Sequence, residues 1–264
     1  MPDSDIRKLF IILKNNNKEP IKRKYNLIIN KSNKGNKLMK PQFKSKLPRI
    51  IDLRKKFPPV CDQGRLASCT ACALCGLIQY FIPKLQGSRL FVYYNERKLE
   101  NDIPDDCGST LTTGMECLKK YGVCPETLWP YNPSKFAVKP TDNCYKYALK
   151  YVALDVDSID ETMINLKSYL ASGYPFVIGI KVYESFESKR VAQTGIVSMP
   201  NINKEQLLGG HAIVCVGYND TTQQWIMRNS WGNSWGVKGY FYLPYAYLLD
   251  DNLSSDTWTI IKLK

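Results

Sequence analysis

Nine cysteines and a single histidine, His211, offer the most chemistry in this 264-residue chain. Four of the cysteines fall in CDQGRLASCTACALCGLIQYF, where Cys69, Cys72 and Cys75 stand at C-x-x-C-x-x-C spacing. A ferredoxin-type cluster run would need a fourth cysteine and then a proline at positions where Gln79 and Tyr80 stand, so that pattern breaks. A zinc site would need a second ligand pair, and the chain has one imidazole and no other C-x-x-C. No metal and no cofactor are expected. Cys72 and Cys75 read as small apolar residues on a buried helix. Cys69 differs, because it falls where that helix begins, and unpaired backbone N–H groups at a helix start favour the nucleophilic thiolate.

A cysteine nucleophile also needs a base and a group to orient the base. His211 follows two glycines in LLGGHAIVCVGYND, at the start of an apolar strand that another chain could approach closely. Asn229 ends a second apolar strand in WIMRNSWGNSWGVKGYF, where its amide oxygen can accept from an imidazole and Trp231 can shield that bond from water. Gln63 stands six residues before Cys69 and can aim a side-chain N–H at an oxyanion beside the Cys69 backbone N–H. Each residue alone has a plainer reading as a turn, a core or a surface group. Together they form the set that Cys–His acyl transfer requires.

The elements that position this set follow from pattern. The stretch from Ser68 to Ile82 predicts a buried helix capped by Ser68 and ended by Pro83. Further helices are expected from Thr112 to Tyr121, before Gly122, and from Ile159 to Ala171, before Gly173. After Pro175 the runs turn short and β-branched (PFVIGIKVY, HAIVCVGYND, QQWIMRNSW, GYFYLP, DTWTIIKL), which predicts antiparallel strands. Helices first and strands later indicate an α+β protein with a cleft between two halves.

Charge divides the chain differently. Residues 1–56 hold 17 Lys and Arg against 4 Asp and Glu, a net of +13, and the remaining 20 against 20 cancel. The Lys/Asn-rich start is too poor in large apolar groups to fold alone. It reads as an arm of residues 1–46 that is mobile or docks on a domain of residues 47–264. No apolar run reaches membrane-span length, and the first residues, with only the short patch Leu9–Leu13, lack the form of a secretory signal. An intracellular protein is expected, virion-associated if the source is a virus.

Three stretches give the chain a resemblance. QGRLASC, GGHAIVCVGY and NSWGNSWGVKGYF resemble the nucleophile, histidine and asparagine motifs of the papain family of cysteine proteases, and the likeness runs from about Leu47 to the C-terminus. The resemblance implies a two-lobe fold, with a helical lobe at about 60–150, a β-barrel-like lobe at about 151–264 and the active-site cleft between them. It implies a cysteine endopeptidase in which a Cys69 thiolate and His211 imidazolium attack peptide bonds through an acyl-enzyme, with Asn229 orienting the imidazole and Gln63 in the oxyanion hole. It also places Gly108, Ser109, Gly210 and Trp231 at the substrate cleft, implies a monomer acting on proteins or peptides, and suggests pairing of Cys107 with Cys144.

Departures accompany the matches. The family's cysteine three residues before the nucleophile is Leu66 here, the tryptophan after it is Thr70, and GSTLTTG (108–114) replaces a glycine pair. These changes resemble a short, leaderless branch from microbes and large DNA viruses. The arm is expected to be a short propeptide across the cleft, making a zymogen, or a nonspecific polyanion contact. A catalytically silent papain-like binding module and another Cys–His acyl-transfer enzyme are the alternatives.

Overall fold

The computed structural model describes residues 23–28 and 47–264. The apolar patch Leu9–Leu13 and most of the basic arm lie outside the described residues. Helix α1 (Cys69–Phe81) is buried on almost every side, which explains why its sequence shows no polar face. Around it lie α2 (Arg89–Leu99), α3 (Leu111–Lys120) and α4 (Asp142–Ala148). Of the expected helices, α1 and α3 stand within a residue of their predicted bounds, whereas α5 runs Met163–Ala171 and begins four residues later than predicted. Thr162 sets that start, since its side chain accepts from the Asn165 amide and caps the helix there. Ser68 precedes α1 as predicted but makes no side-chain cap, because its hydroxyl is paired with the Tyr131 hydroxyl at 2.7 Å. Helix α2 went unpredicted, and Ser88 caps it through the Phe91 amide.

The strands are β1 (Ile50–Asp52), β2 (Ala153–Ser158), β3 (Phe176–Tyr183), β4 (Leu207–Asn219), β5 (Gln224–Arg228), β6 (Tyr240–Pro244) and β7 (Ser254–Leu263). They form one antiparallel sheet in the order β2-β7-β3-β4-β5-β6, with β1 joined to the far end of β4. The expected barrel-like lobe is thus corrected to an open sheet: β2 and β6 are its two ends and do not pair with each other. Register shifts bend the β2–β7, β3–β7 and β4–β5 pairs without closing the sheet.

Strand β4 is the centre of the molecule. Ala212, Val214 and Val216 enter a core shared with α1, α2 and α3, while Ile213 and Cys215 enter a second core with Phe176, Trp225 and Phe241. A strand buried on both faces reads as a continuous apolar run, as IVCVGY does. Two short helices, α6 (Lys189–Thr194) and α7 (Tyr245–Leu248), complete the sheet side. Among the described residues no helix is long and apolar enough to cross a membrane.

One buried cation joins the two sides. Arg228 at the end of β5 donates to the Pro58 carbonyl at 2.8 Å and the Pro59 carbonyl at 3.0 Å, and its Nε passes close over Gly76 of α1. Neither proline has an N–H to enter a strand ladder, and the guanidinium supplies the donors that pair their carbonyls. Arg228→Met should remove both of these charge-assisted bonds and cost about 1–3 kcal/mol. A lower urea midpoint with an unchanged m-value would show this, and a midpoint equal to that of the parent chain would refute it.

Candidate active site

The four residues picked out as catalytic come from both sides of the molecule. Cys69 opens α1, and the backbone N–H groups of Ala212, Thr70 and Cys69 itself favour the ionised form of its thiol. Ala212 follows His211 on β4, so the helix start and the histidine strand meet at the sulfur. His211 Nε2 donates to Asn229 Oδ1 at 2.8 Å, and the same oxygen accepts from the Ser230 amide at 2.8 Å. Nδ1 of His211 is buried without a partner. Trp231 stacks on the imidazole with centroids 5.0 Å apart, which shields the Asn229 bond. The long-range closeness of these groups follows from the packing of α1 against β4 and from the β4–β5 pairing that carries Asn229 beside His211.

Gln63 is wholly buried, with its amide oriented by two bonds. Oε1 accepts from the Ser230 hydroxyl at 2.5 Å, and Nε2 donates to the Leu66 carbonyl at 3.0 Å. An amide held this way leaves its second Nε2 hydrogen with a set direction. Ser230 is a residue that sequence reading missed; its neighbour Asn229 drew attention, yet only the fold brings it against Gln63.

Thr70, the departure beside the nucleophile, has a specific partner. Its hydroxyl donates to Glu96 Oε2 at 2.8 Å inside the helical core, and Glu96 Oε1 has no partner. Burial pushes the Glu96 carboxyl up to about 8, although the Thr70 bond opposes that rise. No local signal marked Glu96, which lies on α2, a helix the sequence reading did not predict.

The four expected cleft residues lie along one groove, and the arm fills it. Residues 23–28 run between Gly108–Ser109 on one side and Gly209–Gly210 on the other. The Leu27 amide donates to the Gly210 carbonyl at 3.2 Å, the Gly210 amide to the Tyr25 carbonyl at 3.2 Å, and the Ile28 amide to the Ser109 carbonyl at 3.4 Å. The glycines are necessary for this approach. Gly108 has φ +84° and a Cβ there would stand 2.1 Å from the Asn26 carbonyl oxygen, while one on Gly209, at φ +140°, would stand 2.2 Å from that of Tyr25. Gly108 is positioned in turn by the buried Arg97, which donates to the Ile103 and Asp105 carbonyls and so folds the loop before it.

Side chains of the arm seal the site. Leu27 is buried in the apolar cluster that includes Cys69, Leu111 and Ala212. Tyr25 packs edge-on against His211 and Trp231, each at 6.0 Å, and its hydroxyl donates to Glu187. The Arg23 guanidinium lies 4.4 Å from the Trp231 ring centre, and Lys24 pairs with Asp106 at 2.7 Å.

Under this cover the thiolate–imidazolium pair expected from the sequence is not favoured. Burial pushes the Cys69 thiol up to about 12, outweighing the three N–H groups that favour its ionised form, and the Glu96 charge adds to the rise. Burial lowers His211 to about 4; the Asn229 bond opposes this and the Arg23 charge assists it. The covered pair is therefore thiol and neutral imidazole. The expected Cys107–Cys144 bridge is also absent, since all nine cysteines are free thiols. Cys107 sits in the loop before Gly108, its thiol on the Gly108 carbonyl at 3.5 Å, whereas the Cys144 thiol on α4 lies against the Thr141 hydroxyl and the Leu128 carbonyl. Among the described residues no group of three His, Cys, Asp or Glu is placed to hold a metal ion.

Comparison with known proteins follows the same stretches. The model of the family described as Papain family cysteine protease matches residues 47–248. A peptidase C1-like protein of Acanthamoeba polyphaga mimivirus is 43% identical over 228 residues, which are 81% of this chain and 73% of that protein. Mouse cathepsin K is 27% identical over 78% of this chain, and the match spans 62% of its own length, less than two thirds. Among solved structures, xylellain, a cysteine protease from Xylella fastidiosa, superposes with a TM-score of 0.81 at 35% identity, covering 94% of this chain and all of that one. The procathepsin B S9 of Trypanosoma congolense shares the fold, with a TM-score of 0.69 at 16% identity over 92% of each chain.

The burial of His211 gives the cover a pH window. A covered imidazole held at about 4 binds fewer protons than an uncovered one near its ordinary 6.5. The cover is thus at full strength above about pH 6.5 and weakens as pH falls through that value toward 4. Hydrogen exchange at the Leu27 and Gly210 amides, corrected for intrinsic rates, should lose roughly ten- to hundredfold protection between pH 7 and pH 4. Unchanged protection over that range would show that the arm does not respond to the imidazole.

Proposed function

The chain belongs to the papain family of cysteine proteases, and from that membership we propose that it is an endopeptidase using Cys69 as nucleophile and His211 as base, held covered by its own arm. The observation that carries this reading is the filled groove: a segment of the same chain, bonded on both sides to Gly210 and Ser109, lies over Cys69 where an extended peptide would bind.

In the proposed reaction the cover leaves, water reaches the pair, and the desolvation that holds thiol and imidazole neutral is relieved. His211 then takes the Cys69 proton through Nδ1, the ring nitrogen left unpaired, while Nε2 stays fixed on Asn229. The sulfur attacks the peptide carbonyl carbon. The oxyanion accepts from the Cys69 backbone N–H and from the Gln63 amide, which Ser230 and Leu66 hold in place. His211 returns the proton to the leaving amine, and water, deprotonated by the same imidazole, releases the acyl group as a carboxylic acid and restores the thiol. Gly108, Ser109 and Gly210 bind substrate backbone, and Trp231 keeps water from the His211–Asn229 bond.

The arm, in this proposal, is the propeptide of residues 1–46. The charges that can be followed in it serve the cover rather than a nucleic acid, since Lys24 is paired with Asp106 and Arg23 lies on Trp231. That observation favours self-inhibition over polyanion binding.

An epoxysuccinyl active-site reagent tests the whole reading. Labelling of Cys69 should be slow in the full chain and stoichiometric in a 47–264 truncation, and peptide mapping should find the adduct on Cys69. Cys69→Ala or His211→Ala in the truncated chain should lower kcat/KM by at least about 10⁴-fold, Gln63→Ala by about 10²–10³-fold, and Asn229→Ala by less than either member of the pair. Full turnover by the Cys69→Ala chain would end the proposal, and equal labelling of the two lengths would remove the arm from it.

A further inference from the structure

The wall of the groove that carries Gly108 and Ser109 also holds an oriented carboxylate. Asp106 stands two residues before Gly108. Its Oδ1 accepts from the Ala67 amide at 2.9 Å and from the Tyr93 hydroxyl at 2.7 Å. Tyr93 is itself fixed: it is buried on α2, its hydroxyl accepts from the Gly108 amide at 3.2 Å, and the Arg97 guanidinium lies 4.1 Å from its ring centre. With one oxygen committed to this scaffold, Oδ2 has a set direction. It meets the arm, accepting from Lys24 Nζ at 2.7 Å.

Side chains of the arm alternate across the groove. Lys24 reaches the Asp106 carboxylate and Asn26 donates to the Asp106 carbonyl at 3.2 Å, while Tyr25 between them turns to His211 and Trp231. Alternation of this kind belongs to any extended chain, so a peptide bonded to Gly210 and Ser109 in the same register brings one side chain to Asp106. The Asp106 side chain is only 12% exposed beneath Lys24, which is itself 50% exposed. Departure of the arm removes the cation and leaves a recessed carboxylate facing the groove, a state that a second cation relieves.

We propose, resting on the peptidase reading above, that Asp106 is a specificity-determining residue and that the substrates are peptides carrying Lys or Arg where the arm carries Lys24. A basic side chain takes the place of Lys24 on Oδ2, and an acidic one is repelled by the same oxygen. Lys24 is then the arm's copy of the feature that the groove selects in a substrate. Asp105 beside it is exposed, and its carbonyl goes to Arg97, so the neighbouring acid belongs to the loop rather than to the groove. Asp106→Asn separates charge from scaffold, because an amide oxygen still accepts from Ala67 and Tyr93 while the group facing the groove becomes neutral.

The test uses the full-length chain with its groove opened by Lys24→Ala, Tyr25→Ala and Leu27→Ala. In the Cys69→Ser form of this chain, the hexapeptide Arg-Lys-Tyr-Asn-Leu-Ile of residues 23–28 and its analogue with norleucine for lysine are compared by fluorescence anisotropy. The lysine peptide should bind about tenfold tighter, and molar salt should shrink that advantage. Adding Asp106→Asn should make the two affinities equal. With Cys69 restored, a peptide library bearing Lys, Arg, norleucine or Glu at each position in turn should give a kcat/KM about tenfold higher for the basic residues at one position, and Asp106→Asn should abolish that ratio.

The unopened chain gives a second measurement. Lys24→Met and Asp106→Asn should each speed iodoacetamide labelling of Cys69 by about three- to tenfold, and the double variant should react no faster than either. Equal binding of the two hexapeptides by the opened chain, a lysine preference that survives Asp106→Asn, or additive effects in the double variant would overturn the proposal. A lysine preference in binding without turnover of any library peptide would keep Asp106 as the reader of basic peptides and would remove the peptidase reading instead.

Discussion

The packing of α1 against β4 is the constraint from which the site follows. The helix start brings a thiol, the strand brings an imidazole, and the two meet only because β4 is buried on both faces and cannot shift without opening two cores at once. A one-residue slip of β4 would exchange Ala212, Val214 and Val216 with Ile213 and Cys215, placing side chains of the wrong size in each core. The register that preserves packing is therefore also the register that sets His211 beside Asn229 on the neighbouring strand.

A site assembled this way buries polar groups, and several are answered by a partner from a distant part of the chain. Gln63 is held by Ser230, Thr70 by Glu96, and the Pro58 and Pro59 carbonyls by Arg228. Such bonds contribute modestly when made and cost more when one partner is removed. They stiffen the segments on either side of Cys69 more than they add to net stability. Among the buried groups without partners, His211 Nδ1, Asn229 Nδ2 and Trp231 Nε1 lie in the candidate site itself.

The arm changes the electrostatics of the same atoms. With Tyr25 and Leu27 in place, water is excluded, and both the thiol and the imidazole are held in their neutral forms. A helix start alone does not overcome that desolvation, so the protonation state at Cys69 depends on whether the groove is filled. The glycines at 108 and 209 let the filling segment come within hydrogen-bonding distance, and the same open backbone would admit any other extended chain.

What the sequence determined by itself was local and periodic. The apolar run of α1, the β-branched strands after Pro175, the position of Cys69 at a helix start and the motifs around His211 and Asn229 were all legible, since propensity, period and motif act over a few residues. The open sheet in place of a barrel, the later start of α5 at the Thr162 cap, and the whole of α2 were not. Tertiary structure alone decided the long-range facts: Ser230 behind Gln63, Glu96 beneath Thr70, and Arg89 over the Tyr131 ring. It also decided that residues 23–28 lie in the groove between Ser109 and Gly210, which a Lys/Asn-rich sequence with no strand period does not specify. The physical reason is common to all of these. Partners far apart in sequence are chosen by burial, and burial is a property of the packed chain rather than of any segment within it.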